Sequence, residues 1–263
     1  MILSPSSNSI NFFGVQIYYY GIIIAVSICV CLFLLKLISS KSVKKLDFEV
    51  VYDISPILIL VSVLSARLYY VSINWEYYSK NLLDSFNLTQ GGLAIHGALL
   101  GGLITLIITL KIKKMSVLNY CDAFACVLPL GQAIGRLGNY FNQEAFGLPC
   151  NYPWCLHIEQ SNRPLNYYNF ECFHPTFLYE LILNLIIFVI LNYIYFKFSK
   201  LKSGTILALY LILYSVARIF VEFFRIDAQI FLFDLPLPIV ISSVIIIFSF
   251  VYLKIIYSQE LVN

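Results

Sequence analysis

Seven runs of apolar residues, each close to the length of a helix that crosses a bilayer, decide what this chain can fold into. They are read at about Tyr18–Leu37, Val50–Val71, Leu93–Leu110, Leu118–Ile134, Phe177–Phe196, Thr205–Phe224 and Leu235–Ile256. A helix needs roughly 20 residues to cross hydrocarbon, and it satisfies its backbone groups internally on the way. The fourth run departs most from this pattern, being short and carrying Asp122 and Pro129. Strands of a membrane β-barrel, about 10 residues long and alternating, do not fit runs of this length. Composition agrees with lipid as the solvent. The 263 residues are 60% apolar and 12% charged, whereas a soluble domain carries roughly a quarter charged residues. The expectation is an all-α membrane protein of about seven transmembrane helices, one polytopic domain over residues 1–263.

Lysine placement orients the spans. Residues 1–16 hold no Lys or Arg, so they lack the basic region of a secretory signal peptide. Lys41, Lys44 and Lys45 follow the first run, Lys111, Lys113 and Lys114 the third, and Lys197, Lys200 and Lys202 the fifth, while Lys254 closes the seventh. Every second connection is therefore basic, with only Lys80 on the other side, and the positive-inside rule puts the N-terminus out and the C-terminus in. The arginines follow another rule. Arg67, Arg136, Arg163, Arg218 and Arg225 all fall at outer span ends or in outer loops. Arginine offers a planar array of donors suited to phosphate and carboxylate, where lysine is a point charge. The long stretch 136–175 is read as an outer cap between spans four and five. The basic loops are topology signals with a secondary affinity for anionic lipid rather than a nucleic-acid surface.

Of seven cysteines, Cys29, Cys31, Cys121 and Cys126 lie in spans as apolar fillers. Cys150, Cys155 and Cys172 lie outside, where one disulfide is expected, most easily Cys150–Cys155. Scattered histidines and the lack of a Cys-x-x-Cys pair argue against zinc.

Ionisable side chains at membrane depth are costly and mark functional sites. Span six reads YSVARIFVEFFR, putting Tyr214, Arg218, Glu222 and Arg225 on one helical face, with Glu222 able to pair with either arginine. A structural ion pair pinning helices together is the alternative reading. Span three begins GGLAIHGALLGG, where Gly97 and Gly101 form a close-packing face beside His96. A lone helical histidine is as readily a core residue as a catalyst. The densest cluster is GQAIGRLGNYFNQEAFG, with Gly131, Gly135, Gly138 and Gly147 and the polar residues Arg136, Asn139, Asn142 and Glu144. Glycines that let the chain turn and expose N–H groups, beside an arginine, suggest an anion cradle. HPTFLYE at the start of span five sets His174, Tyr179 and Glu180 at the same level, and Tyr20 and Gly21 occupy the outer third of span one.

GRLGNYFNQEAFG resembles the signature of the bacterial prolipoprotein diacylglyceryl transferases, Gly-Arg-x-Gly-Asn followed by Asn-x-Glu-x-x-Gly. The similarity covers nearly the whole chain. It takes in Tyr20-Gly21, Ala66-Arg67, the Gly-Gly-x-x-x-His-Gly around His96, Asp122 and Pro129, His174-Pro175 with Tyr179-Glu180, and the span-six motif from Tyr214 to Arg225. Tyr140, Ala98 and Ser215 replace residues more usual in the family.

The resemblance implies transfer of the diacylglyceryl group of phosphatidylglycerol to the lipobox cysteine thiol of a prolipoprotein signal peptide, releasing glycerol 1-phosphate. It implies no metal or organic cofactor. The setting is the bacterial inner membrane, with the active site toward the outer leaflet. It assigns Arg136 and Arg218 to the phosphate, Glu222 to orienting Arg218, and Asn139, Glu144 and Gly147 to the head-group pocket. Tyr20 and Tyr214 position phosphate or glycerol hydroxyls. His96 is the candidate base for the thiol, head-group binding being the other role open to it. A transporter or channel would carry polar residues through to the inner side, which here is apolar apart from end lysines, Asp53 and Asp122. A structural subunit has no need of an arginine–glycine cradle.

Overall fold

The computed structural model describes residues 2–5, 7–13, 15–41, 46–87, 91–198, 200–226, 231–232 and 234–258. Lys44 and Lys45 of the lysine pattern lie outside them. The helices are α1 (Tyr19–Lys41), α2 (Phe48–Ile73), the single turn α3 (Trp75–Tyr78), α4 (Ile95–Ile112), α5 (Val117–Asn142), α6 (Thr176–Lys197), α7 (Thr205–Glu222) and α8 (Leu237–Ser258). Among the described residues seven of them, all but α3, are long and apolar enough to cross a membrane. Three antiparallel ladders connect them: β1 (Ser9–Phe12) with β2 (Val15–Tyr18), β3 (Leu156–His157) with β4 (Cys172–Phe173), and β5 (Phe231–Leu232) with β6 (Leu235–Pro236).

The largest departure from the expected spans is at α5, which continues past Ile134 to Asn142. Residues 136–142 are thus helical and the connecting stretch is 143–175, shorter than the expected 136–175 loop. Gly131, Gly135 and Gly138 lie within the helix and turn nothing. The chain leaves α5 instead through Gln143 and Ala145, whose φ values of 52° and 55° are uncommon for residues with a side chain. Gln143 is held there by its Oε1, which accepts from the Glu159 amide at 2.8 Å.

Two compact units make up the chain, Met1–Val43 with Cys121–Asn263, and Lys44–Tyr120. In the second, α2 and α4 run antiparallel. The expected face of Gly97 and Gly101 is used, since an added Cβ on either would overlap Ser65 of α2. Lys113 and Asp53 close the far end at 2.7 Å. Arg67 is buried and donates to the carbonyls of Asp84 at 2.6 Å, Ser85 at 2.9 Å, Gly91 at 2.9 Å and Gly92 at 3.1 Å. It clamps the segment that leads into α4.

In the first unit, α5 is the central helix, half of whose span is buried against 11–39% for α1, α6, α7 and α8. Ser27 of α1 donates to the Gly131 carbonyl at 3.0 Å, and Asn192 of α6 donates to the Cys126 carbonyl at 2.8 Å. Asp122, fully buried, accepts from the amides of Gly204 and Leu207 at 2.9 Å each. A carboxylate of α5 therefore caps α7, where the free N–H groups and helix dipole favour negative charge. These contacts make α5 and α7 parallel and α1 and α6 antiparallel to them.

Residues 143–175 fold over a small core of Ala145, Phe146, Leu156, Ile158 and Phe173 with Phe177 of α6. Ile2 adds to this layer, exchanging backbone hydrogen bonds with Cys155 and His157 at 2.8 Å each. Cys150 and Cys155 form the expected disulfide, which does not include Cys172. Arg163 ties the segment to itself through the carbonyls of Ile158 at 2.8 Å and Tyr168 at 3.2 Å.

Candidate active site

The start of α6 sets the site. Pro175 precedes the first turn, and the Thr176 hydroxyl donates to the Ala145 carbonyl at 2.6 Å, fixing α6 to the turn that ends α5. One turn on, Glu180 is 4% exposed and receives three arginines. Arg136 of α5 makes a close ion pair with its Oε2, Arg225 reaches Oε1 at 2.8 Å, and Arg218 of α7 stands 3.9 Å from Oε1. Arg218 is held by Glu222, one turn along α7, at 2.6 Å. Three guanidinium groups face two carboxylates, so the directly paired cluster carries one positive charge, the next carboxylate being Glu144 on the far side of Asn139. Burying charge costs several kcal/mol per ion unless it is paired, and the excess here suits an anion.

The α5 side extends the network. Arg136 Nη1 donates to Asn139 Oδ1 at 3.3 Å, and Asn139 Nδ2 donates to Glu144 Oε1 at 2.8 Å, as does Asn142 at 3.2 Å. Arg136 Nε is buried without a hydrogen-bond partner. Tyr20, in the first turn of α1, lies over Gly138, where any Cβ would strike its ring. Gly147 runs between two strands: its amide donates to the His174 carbonyl at 2.8 Å, and it bridges Arg225 on the other side. A Cβ there would overlap the Phe224 backbone carbonyl. Tyr214, one turn below Arg218, has its ring 5.8 Å from that of Tyr210.

The other side of the Gly147 strand carries aromatic groups. Trp154 Nε1 donates to the Tyr179 hydroxyl at 3.1 Å, and that hydroxyl is hydrogen-bonded to His174 Nδ1 at 2.9 Å. Burial pulls the His174 pKa below its usual value. His96 belongs to the second unit, is exposed in the first turn of α4, and has its ring 6.0 Å from Tyr69.

A family model described as prolipoprotein diacylglyceryl transferase matches residues 8–255. The chain belongs to the prolipoprotein diacylglyceryl transferase family. It is 43% identical over 226 residues to a phosphatidylglycerol–prolipoprotein diacylglyceryl transferase of Acaryochloris marina, covering 86% of this chain and 81% of that protein. Similarly named proteins of Prochlorococcus marinus, at 41% over 243 residues, and Synechococcus, at 39% over 232 residues, share 86–87% of this chain and 81–82% of their own length with it.

The first unit contains Tyr20, Arg136, Asn139, Glu144, Gly147, Tyr214, Arg218 and Glu222; Arg136, Asn139 and Glu144 form one hydrogen-bonded chain and Arg218 pairs with Glu222, while His96 belongs to the second unit. Sequence reasoning did not select Glu180 or Arg225 for the site. The signal for Glu180 was present, a carboxylate in the first turns of an apolar span. Arg225 was read as an alternative partner for Glu222, and the structure pairs it with Glu180.

Proposed function

We propose that this chain transfers the diacylglyceryl group of phosphatidylglycerol to the thiol of a lipobox cysteine in a prolipoprotein. A C–S bond forms at the glycerol carbon and its C–O bond breaks. The electron pair leaves on the phosphate oxygen as glycerol 1-phosphate, and the thiol proton passes to a base. The observation that carries this reading is the convergence of Arg136, Arg218 and Arg225 on Glu180 with one positive charge in excess.

Charge grows on the departing phosphate, so donors fixed beforehand at that point stabilise the transition state. Arg136 and Arg218 take the phosphate, with Glu222 holding Arg218 in place. Asn139, Glu144 and Gly147 shape the head-group pocket, and Tyr20 and Tyr214 position its oxygens. His96 is taken as the base, since an imidazole suits proton acceptance near neutrality. His96→Gln at normal turnover would exclude that role.

The lysine pattern supports a bacterial inner membrane protein with its N-terminus out, residues 143–175 as a cap on the outer face and the chemistry in the outer leaflet. A permeation path would use the polar groups at the lysine end, but there Asp122 caps α7 and Asp53 pairs with Lys113. The test is to incubate purified protein with phosphatidylglycerol and a lipobox peptide and follow the peptide by mass. A diacylglyceryl adduct with loss of the free thiol is expected; an unmodified peptide beside folded protein overturns the reading.

A further inference from the structure

One turn beneath the arginine cluster lie two buried carbonyl oxygens with no hydrogen-bond donor, Gln132 Oε1 and Asn184 Oδ1. Asn184 is 3% exposed. Helix register puts the two at one level. Arg136 meets Glu180 between α5 and α6, and Asn192 of α6 reaches the Cys126 carbonyl of α5 at 2.8 Å. The helices are antiparallel, so a step of four residues down from Arg136 and four on from Glu180 brings Gln132 opposite Asn184. Because α7 runs parallel to α5, Tyr214 stands at the same depth.

A buried acceptor without a donor is unfavourable, and native interiors rarely leave one. The site thus offers free donor capacity at Arg136 Nε above and free acceptors about 5 Å below, one helical turn. The ligand that matches presents acceptors first and donors next. Phosphate and ester oxygens only accept. The terminal glycerol of phosphatidylglycerol carries two hydroxyl donors within that reach of its phosphorus.

We propose that Gln132 Oε1 and Asn184 Oδ1 receive the hydroxyls of the head-group glycerol, making these two residues specificity determinants for a polyol phosphodiester. The proposal rests on the reading of the site as a phosphatidylglycerol site.

The test pairs deletion on the lipid with deletion on the protein. Phosphatidylpropanol keeps the acyl chains, the phosphodiester and the charge of phosphatidylglycerol and lacks the two hydroxyls. In detergent micelles with a lipobox peptide, the wild type should prefer phosphatidylglycerol in kcat/KM on the order of 30-fold, the worth of two hydrogen bonds. Gln132→Leu and Asn184→Leu should each cut that preference about fivefold and together bring it near one. Where a variant turns over too slowly, the lipid-induced rise in Tm gives the same comparison. A wild-type preference near one overturns the proposal without any variant, as does a preference left intact in both variants, which would assign the two acceptors to water. Failure of the wild type to use phosphatidylglycerol at all would instead sink the transferase reading itself.

Discussion

Glu180→Gln removes one charge, and almost nothing else, from the point where three arginines meet. The Glu180 side chain is 5% exposed, and those of Arg136, Arg218 and Arg225 are 25%, 20% and 15% exposed. Loss of one partner from a buried ion pair costs about 3–5 kcal/mol. The lower end applies because glutamine keeps an acceptor oxygen of the same shape. At about 2–4 °C per kcal/mol for a chain of this size, a loss of about 3 kcal/mol lowers Tm by about 6–12 °C. The variant cluster carries two positive charges in excess, so an anion should bind it more tightly and stabilise it more by mass action. Thermal unfolding in detergent, with and without phosphatidylglycerol, measures both effects. A variant that melts within about 2 °C of wild type, or gains no more from the lipid than wild type does, refutes the role given to Glu180.

Arg136→Lys keeps the charge but cannot serve Glu180 and Asn139 in two directions at once; kcat/KM should fall about 100-fold with the fold intact, and full activity in the mass assay would remove the argument from donor geometry. Gly147→Ala places a methyl against the Phe224 carbonyl, a backbone atom that cannot swing away, and should cost about 2 kcal/mol, read as lower Tm and faster proteolysis of residues 143–175. His174 has its pKa lowered by burial, so the unfolded chain takes up the proton first and the stability due to the neutral ring is lost as pH falls through and below about 6.5. His174→Gln should flatten the decline in Tm between pH 7 and pH 5; an unchanged slope would show that the ring is not the titrating group.

The spans were legible because a bilayer tolerates few alternatives: apolar length alone decides, and six of the seven runs became helices with ends within a few residues of those expected. The seventh case, α5, was misjudged for a physical reason. Arg136, Asn139 and Asn142 are polar and read as loop, but Arg136 pairs with Glu180 of α6 and the two asparagines bind Glu144 just beyond the helix end, and these partners carry the helix through them. The arginines show the same limit. All five looked alike as guanidinium groups at span ends, yet Arg67 and Arg163 bind backbone carbonyls and only Arg136, Arg218 and Arg225 gather on carboxylates. Asp122 stood out as a charge in an apolar half-span; its partners, the amides that begin α7, are 82 and 85 residues away along the chain. Side-chain type is local information, and choice of partner is not.

Two carboxylates, Glu180 and Glu222, stand in the site proposed to take an anion. Three guanidinium groups crowded together without them would repel one another and lose their hydration uncompensated. Glu180 and Glu222 allow the three to be assembled in advance and leave a single positive charge, equal and opposite to that of a phosphodiester. As the C–O bond breaks, the phosphate gains charge toward that of a monoester, so attraction to the cluster strengthens along the reaction coordinate rather than being exhausted in the bound lipid. Interactions that are stronger in the transition state than in the ground state are the ones that accelerate a reaction. A cluster with all three charges unopposed would bind the lipid and the leaving group tightly alike, and would release its product slowly.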